Sequence, residues 1–224
     1  MRLFRLLKYR CLMQNLCRSL FPTFMVKVRY TPQDGKKRCP WCLKDELYVT
    51  YHDEEWGEPV YDDNLLFEQL ILETFQAGLS WHTILKKREG FRLAFDGFDA
   101  EKMAKYGESK IAELLSNPGI IIHEGKIRAA INNAQQFLRL QKEWGDFSKF
   151  IWQFTNHDIV HIPISNMDSM QTTIPQSDAM SKRLKKEGFK FVGSTTCMAY
   201  MESVGMVSDH FQDCWKAQNK ELPK

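Results

Sequence analysis

Between residues 62 and 78, apolar side chains fall at Leu65, Leu66, Phe67, Leu70, Ile71, Leu72 and Phe75. Steps of three and four residues line up on one face of an α-helix, so this stretch is expected to be an amphipathic helix that stops at Gly78. The same spacing predicts helices over 81–95, 109–115, 126–140, 147–155, 176–186 and 195–204, punctuated by Gly107, Gly145, Gly188 and Gly205. Ser177, Asp178 and Ser194 are candidate caps. Strand-like alternation is best at 159–164, where Pro163 cannot donate to a sheet ladder. The predicted fold class is therefore all-α. With no internal repeat or low-complexity linker, residues 38–216 are expected to form one helical domain followed by a polar tail, 217–224.

A chain of 224 residues, 43% of them hydrophobic, is long enough to bury a full core. No uncharged run approaches the roughly 18 to 20 residues that cross a bilayer, so no membrane partner is expected. The net charge of +3 is unevenly distributed: residues 1–37 carry nine lysines and arginines against the single acid Asp34, leaving −5 for the rest. Those 37 residues are expected to be a basic extension outside the fold, with Met13 and Met25 as alternative starts and a transit peptide as the other reading. A body of net negative charge holds no global argument for nucleic-acid binding, so any such contact must be local. The six cysteines, at 11, 17, 39, 42, 197 and 214, are too few and too uneven for a disulfide scaffold and suit a reducing, cytoplasmic setting.

Chemistry gathers first at the two ends of the body. Cys39-Pro40-Trp41-Cys42 and His52 stand near its start, and His210 and Cys214, four apart, near its end. Four such N and S donors suit tetrahedral zinc, which would staple the two ends together. Buried core cysteines and histidines are the plain alternative, and a thiol redox pair at Cys39 and Cys42 is another, although no βαβ pattern precedes it. Next come Tyr51-His52-Asp53-Glu54-Glu55-Trp56-Gly57 and Glu73, followed by Gln76-Ala77-Gly78-Leu79-Ser80-Trp81. Trp41, Tyr51, Trp56 and Trp81 offer stacking faces, and an extruded cationic base is held by such rings and a carboxylate. Core packing with a solvated Glu73 is the alternative on spacing alone. Finally, Leu114 to Ile127 reads as two helices about a Pro118-Gly119 turn that ends at Gly125-Lys126, a helix-hairpin-helix pattern whose N–H groups can hold a DNA phosphate, with Arg128 nearby, an ordinary helix–helix connection being the alternative. Lys86-Lys87-Arg88 and Lys182-Arg183-Leu184-Lys185-Lys186 are weaker candidates for phosphate contact.

Taken together, the chain resembles the DNA-3-methyladenine glycosylase I family from about Arg38 to Cys214. The matching stretches are Cys39-Pro40-Trp41, Tyr51 to Gly57, Gln76 to Trp81, Leu85-Lys86-Lys87-Arg88-Glu89, Gly119-Ile120-Ile121, Lys126-Ile127, Ser177-Asp178-Ala179, Leu184-Lys185-Lys186, Gly188 to Gly193 and Asp209-His210. The resemblance implies a helix-hairpin-helix glycosylase with one structural zinc on Cys39, His52, His210 and Cys214. It also implies Glu73 as the catalytic, base-recognising carboxylate, with Tyr51, Trp81, Trp41 and Trp56 around the substrate and Gly119, Gly125 and Lys126 on the DNA backbone. It implies hydrolytic removal of 3-methyladenine from double-stranded DNA without the catalytic aspartate of related glycosylases; a monomer is expected. Cys42 as a fifth ligand, His82 beside Trp81 and the extension depart from the pattern. A related glycosylase with another lesion preference, or a zinc-stabilised DNA-binding module without catalysis, are the competing readings.

Overall fold

The computed structural model describes residues 30–219. Expectations for Met13, Met25, Cys11, Cys17 and residues 220–224 lie outside the described residues. The helices are α1 Glu46–Glu54, α2 Asp63–Gln76, α3 Trp81–Leu85, α4 Arg88–Ala94, α5 Ala100–Met103, α6 Glu108–Leu115, α7 Glu124–Trp144, α8 Phe147–Trp152, α9 Pro175–Lys186, α10 Ser194–Ser203 and α11 Trp215–Asn219. Two short strands, β1 Val160–His161 and β2 Val207–Ser208, pair in parallel with Val160 opposite Val207. The chain is thus mostly helical rather than strictly all-α. The strand expected over 159–164 shrinks to two residues plus an isolated bridge from Ile164 to Phe211, because Pro163 interrupts the ladder.

Helix α2 is the axis of the molecule. Every residue from Leu66 to Phe75 is buried, and α3, α7, α8 and α10 pack around it. A one-sided amphipathic helix was expected; only Asn64 and Leu65, at the first turn, are exposed. Burial on all sides encloses polar groups that need partners. Glu68 finds them in Arg88 Nε at 2.6 Å and Arg92 Nη2 at 2.8 Å, and the Thr74 hydroxyl donates to Leu70 O. Glu73 Oε2, Gln69 Oε1 and, at the helix end, Gln76 Oε1 find none.

Local chemistry fixes where helices start. Asp45, Asp62, Ser80, Asp99 and Asp146 each accept a backbone N–H of the first turn that follows. Helix α8 has a second cap from a distance: Asp63 of α2 accepts from Phe147 N and Ser148 N, both at 2.8 Å. Asp63→Ala is expected to cost about 2 kcal/mol, the upper end for a lost cap, read as a lower urea midpoint at unchanged slope. The caps expected at Ser177, Asp178 and Ser194 fall elsewhere. Ile174 and Gly193 occupy the cap positions, and Ser177 bonds back to Ile174 N as the second half of a capping box. The helix expected over 81–95 breaks after Leu85.

The chain joins the body before residue 38. Arg38 Nη1 donates to Asp34 Oδ1 at 2.9 Å, Lys36 lies over the Trp215 ring, and Trp215 N donates to Lys37 O. No helix among the described residues is long and apolar enough to cross a membrane.

Candidate active site and metal centre

Residues 39–56, the end of α2, the start of α3 and the C-terminal half of α10 enclose one cavity of about 250 Å³. Trp41 and Trp56 meet edge to face at 4.8 Å between ring centres, and Tyr51 and Trp81 lie 5.3 Å apart. Tyr48, one turn before Tyr51 on α1, adds a fifth ring 5.0 Å from Trp41. All five rings line the cavity, together with Glu73, Gln76, Met170, Ala199 and Glu202.

Three buried polar atoms of this wall have no partner: Glu73 Oε2, Gln76 Oε1 and Trp81 Nε1. Buried polar groups are nearly always hydrogen-bonded, so three orphans around one hollow mark a binding site rather than a packing accident. Glu73 is 3% exposed, and burial alone pushes its carboxyl up to about 8. An acid held in that state invites a cation or a donor.

Expectations for Tyr51, Trp41, Trp56, Trp81 and Glu73 thus converge on one place. His82 does not line it: its Nε2 pairs with Asp45 Oδ2 at 2.6 Å and its ring stacks behind Tyr48, so it supports a wall of the cavity. Tyr48, Met170 and Glu202 were not found from sequence. Tyr48 had a signal, three residues before Tyr51 and so on the same helical face, but α1 was not among the expected helices.

The second cluster lies behind this wall. Cys39 Sγ is 3.5 Å from His210 Nδ1, Cys214 Sγ is 3.8 Å from that atom, and Cys214 Sγ is 3.5 Å from His52 Nε2. All four residues are buried, with their ligand atoms within 4.8 Å of one another, so they form a site that can hold a metal ion. Asp53 bonds His52 Nδ1 at 2.8 Å, leaving Nε2 toward the cluster, and is itself gripped by Arg38 and by Trp215 Nε1. Phe211 N donates to Cys39 Sγ. Contact with Cys39 and the two histidines draws the Cys214 thiol well below its ordinary range, toward the form that binds metals. Cys42 stands apart. Its thiol donates to Cys39 O at 3.1 Å, and burial pushes it up to about 12.

The basic candidates divide. Lys126 is 5% exposed, and its ammonium caps the end of α2, donating to Phe75 O at 2.8 Å and Ala77 O at 2.6 Å. Arg88 is buried between Glu68 and Glu55, and Lys87 ties the 116–123 turn to α4 through Pro118 O. Arg128 pairs with Glu108 and Glu124 on the surface. Gly119 packs so closely on Gly90 that a side chain at Gly90 would overlap its backbone. Gly125 is exposed in the first turn of α7, as are Lys182, Lys185 and Lys186 on α9.

Residues 41–217 match the model of a family described as methyladenine glycosylase. The chain belongs to the methyladenine glycosylase family. It is 46% identical over 177 residues to the DNA-3-methyladenine glycosylase of Haemophilus influenzae, spanning 79% of this chain and 96% of that protein. DNA-3-methyladenine glycosylase 1 of Escherichia coli is 45% identical over 178 residues, 80% of this chain and 95% of that one. Among solved structures, a crystal structure of 3-methyladenine DNA glycosylase I superposes with a TM-score of 0.78 at 45% identity, covering 80% of this chain and 98% of its own. The Staphylococcus aureus glycosylase, solved to explain its recognition of 3-methyladenine, superposes equally well at 37% identity, covering 83% and 98%.

Proposed function

We propose that this glycosylase hydrolyses the N-glycosidic bond of 3-methyladenine in alkylated double-stranded DNA, releasing the base and leaving an abasic site. The observation that carries the reading is the cavity: five electron-rich rings around a buried carboxyl with no partner. Relatives that share nearly their whole length with this chain carry the same activity in their names.

The chemistry suits such a site. Methylation at N3 makes adenine a cation, so the bond from N9 to C1′ breaks with its electron pair moving onto the base, which leaves neutral. Water adds through oxygen to C1′ and loses a proton to solvent. A leaving group that needs no protonation needs no strong general acid, and selecting the extruded base becomes most of the task. Rings over the cation and Glu73 at its edge supply that selection. Among the described residues no lysine lines the cavity, so none of them places an amine for a lyase step.

For the metal centre we favour one structural zinc. Two sulfurs and two imidazole nitrogens at tetrahedral-edge separations leave no open position for substrate. Zinc there would join the segment carrying Trp41 to the chain end, and its thiols require a reducing compartment, which fits a cytoplasmic protein.

For DNA we retain the helix-hairpin-helix reading of α6, the 116–123 turn and α7. The N–H groups of Glu124 and Gly125 lack intrahelical partners and can hold a phosphate, with the turn fixed by Gly119 against Gly90. Lys126 serves this grip from within. Lys126→Met is expected to destabilise the fold by about 2 kcal/mol yet leave the salt dependence of DNA binding unchanged. Lys186→Met is expected to reduce that slope by about 1 if α9 lies along the backbone.

The deciding experiment incubates metal-loaded protein with methylated DNA and identifies every base released by chromatography. Release of 3-methyladenine supports the reading. A different released base would replace the substrate and keep the fold, and no release from folded protein would favour a DNA-binding module.

A further inference from the structure

Glu73 does not face its cavity alone. Glu202, on the last turn of α10, is half-buried and lines the same hollow. Its main chain is fixed, since Gly57 N donates to Glu202 O at 3.2 Å, which ties it to the turn that carries the Trp56 ring. Asp209 lies beside it, 2% exposed and with Oδ1 unpartnered. Burial, then the neighbouring Asp209 and Glu73, hold the Glu202 carboxyl well above its usual range. Among the described residues no lysine or arginine lines the cavity to offset these acids.

Two carboxyls in one hollow impose a requirement that one does not. A neutral purine can stack on the rings and take a hydrogen bond from either protonated acid, but it brings no charge that would offset the ionisation of both. A base with delocalised positive charge compensates both.

We propose that Glu202 is a specificity-determining residue that makes the cavity select positively charged bases over neutral bases of the same shape. The proposal rests on the glycosylase reading and adds to it a filter separate from Glu73.

The test uses two probes with metal-loaded, full-length protein at fixed pH and ionic strength, read by quenching of the cavity tryptophans. One is 3,9-dimethyladeninium, whose charge is permanent. The other is 3,9-dimethyl-3-deazaadenine, its neutral isostere with carbon in place of N3. Wild type is expected to prefer the cation. Glu202→Gln is expected to weaken cation binding ~10-fold, the scale of one charge-assisted contact, and to leave the neutral probe within about twofold. Glu202→Asp, which keeps an ionisable carboxyl, is expected to recover part of the preference. Unchanged binding of both probes by Glu202→Gln overturns the proposal, and so does equal loss of both, which would mean a structural role. Wild type that releases 3-methyladenine while Glu202→Gln keeps full preference sinks only the filter. Wild type that binds neither probe and releases no base removes the glycosylase reading as well.

Discussion

Glu73→Gln is expected to slow the release of 3-methyladenine roughly 10- to 100-fold, the equivalent of one hydrogen bond to a charged group. Metal content and helicity are expected to stay at wild-type values, because Glu73 touches neither the cysteines and histidines nor a helix cap. A second signature separates a recognition carboxylate from a packing residue. Burial holds Glu73 neutral up to about pH 8 in the empty cavity, against a usual 4.5. Its folded pKa is raised, so the stability that its neutral form permits is fully present below the unfolded value near 4.5. That stability is lost as pH rises through about 8. The full loss is on the order of 5 kcal/mol. The melting temperature of Glu73→Gln minus that of wild type is therefore expected to grow between pH 5 and 8. A fixed cation must displace the proton, so its affinity for wild type is expected to rise over the same window and that for Glu73→Gln to stay flatter. Full excision by the variant would remove Glu73 from the mechanism. A pH-independent difference in melting would contradict its buried, unpaired state.

What the sequence made legible follows the reach of each signal. Helical periodicity is local, and the long helices were readable from it, including α2 and α7 to within a few residues. Their surroundings were not. The spacing in α2 reads as a one-sided stripe, because Glu68 and Gln69 count as polar, yet Arg88 and Arg92 arrive from a later helix to neutralise Glu68 and let that side be buried. Lys126 shows the same limit in reverse: within its motif it looks like a phosphate contact, and only the fold brings the end of α2 within reach of its ammonium. The rings and Glu73 were found because motif and resemblance agreed. Glu202 carries no local mark, being one acid on a helix whose neighbours Tyr200 and Met201 read as core, and its place in the cavity depends on α10 crossing α2.

The other large effect concerns the metal. On the proposed zinc reading, His210→Ala is expected to abolish metal binding and lower the melting temperature by roughly 10 °C, since a ligand in thousandfold excess over its Kd contributes about 4 kcal/mol to the folded state. Chelation of wild type should produce the same shift, and zinc should restore it. The loss is propagated through shape: Cys39 and His52 anchor the segment that presents Trp41, Tyr48 and Tyr51, while His210 and Cys214 anchor the chain after β2. Trp56 packs on His210 at 4.6 Å between ring centres, so a loosened His210 frees a wall of the cavity. Excision is therefore expected to fall with the metal although none of the four ligands lines the cavity. Cys42→Ala is the control. Its thiol is engaged by Cys39 O, and one metal per chain is expected to remain; metal loss there with retention in Cys39→Ala would exchange the two cysteines in the ligand set. Unchanged metal content in His210→Ala would refute the four-ligand site, and unchanged excision after complete chelation would detach the metal from the geometry of the pocket.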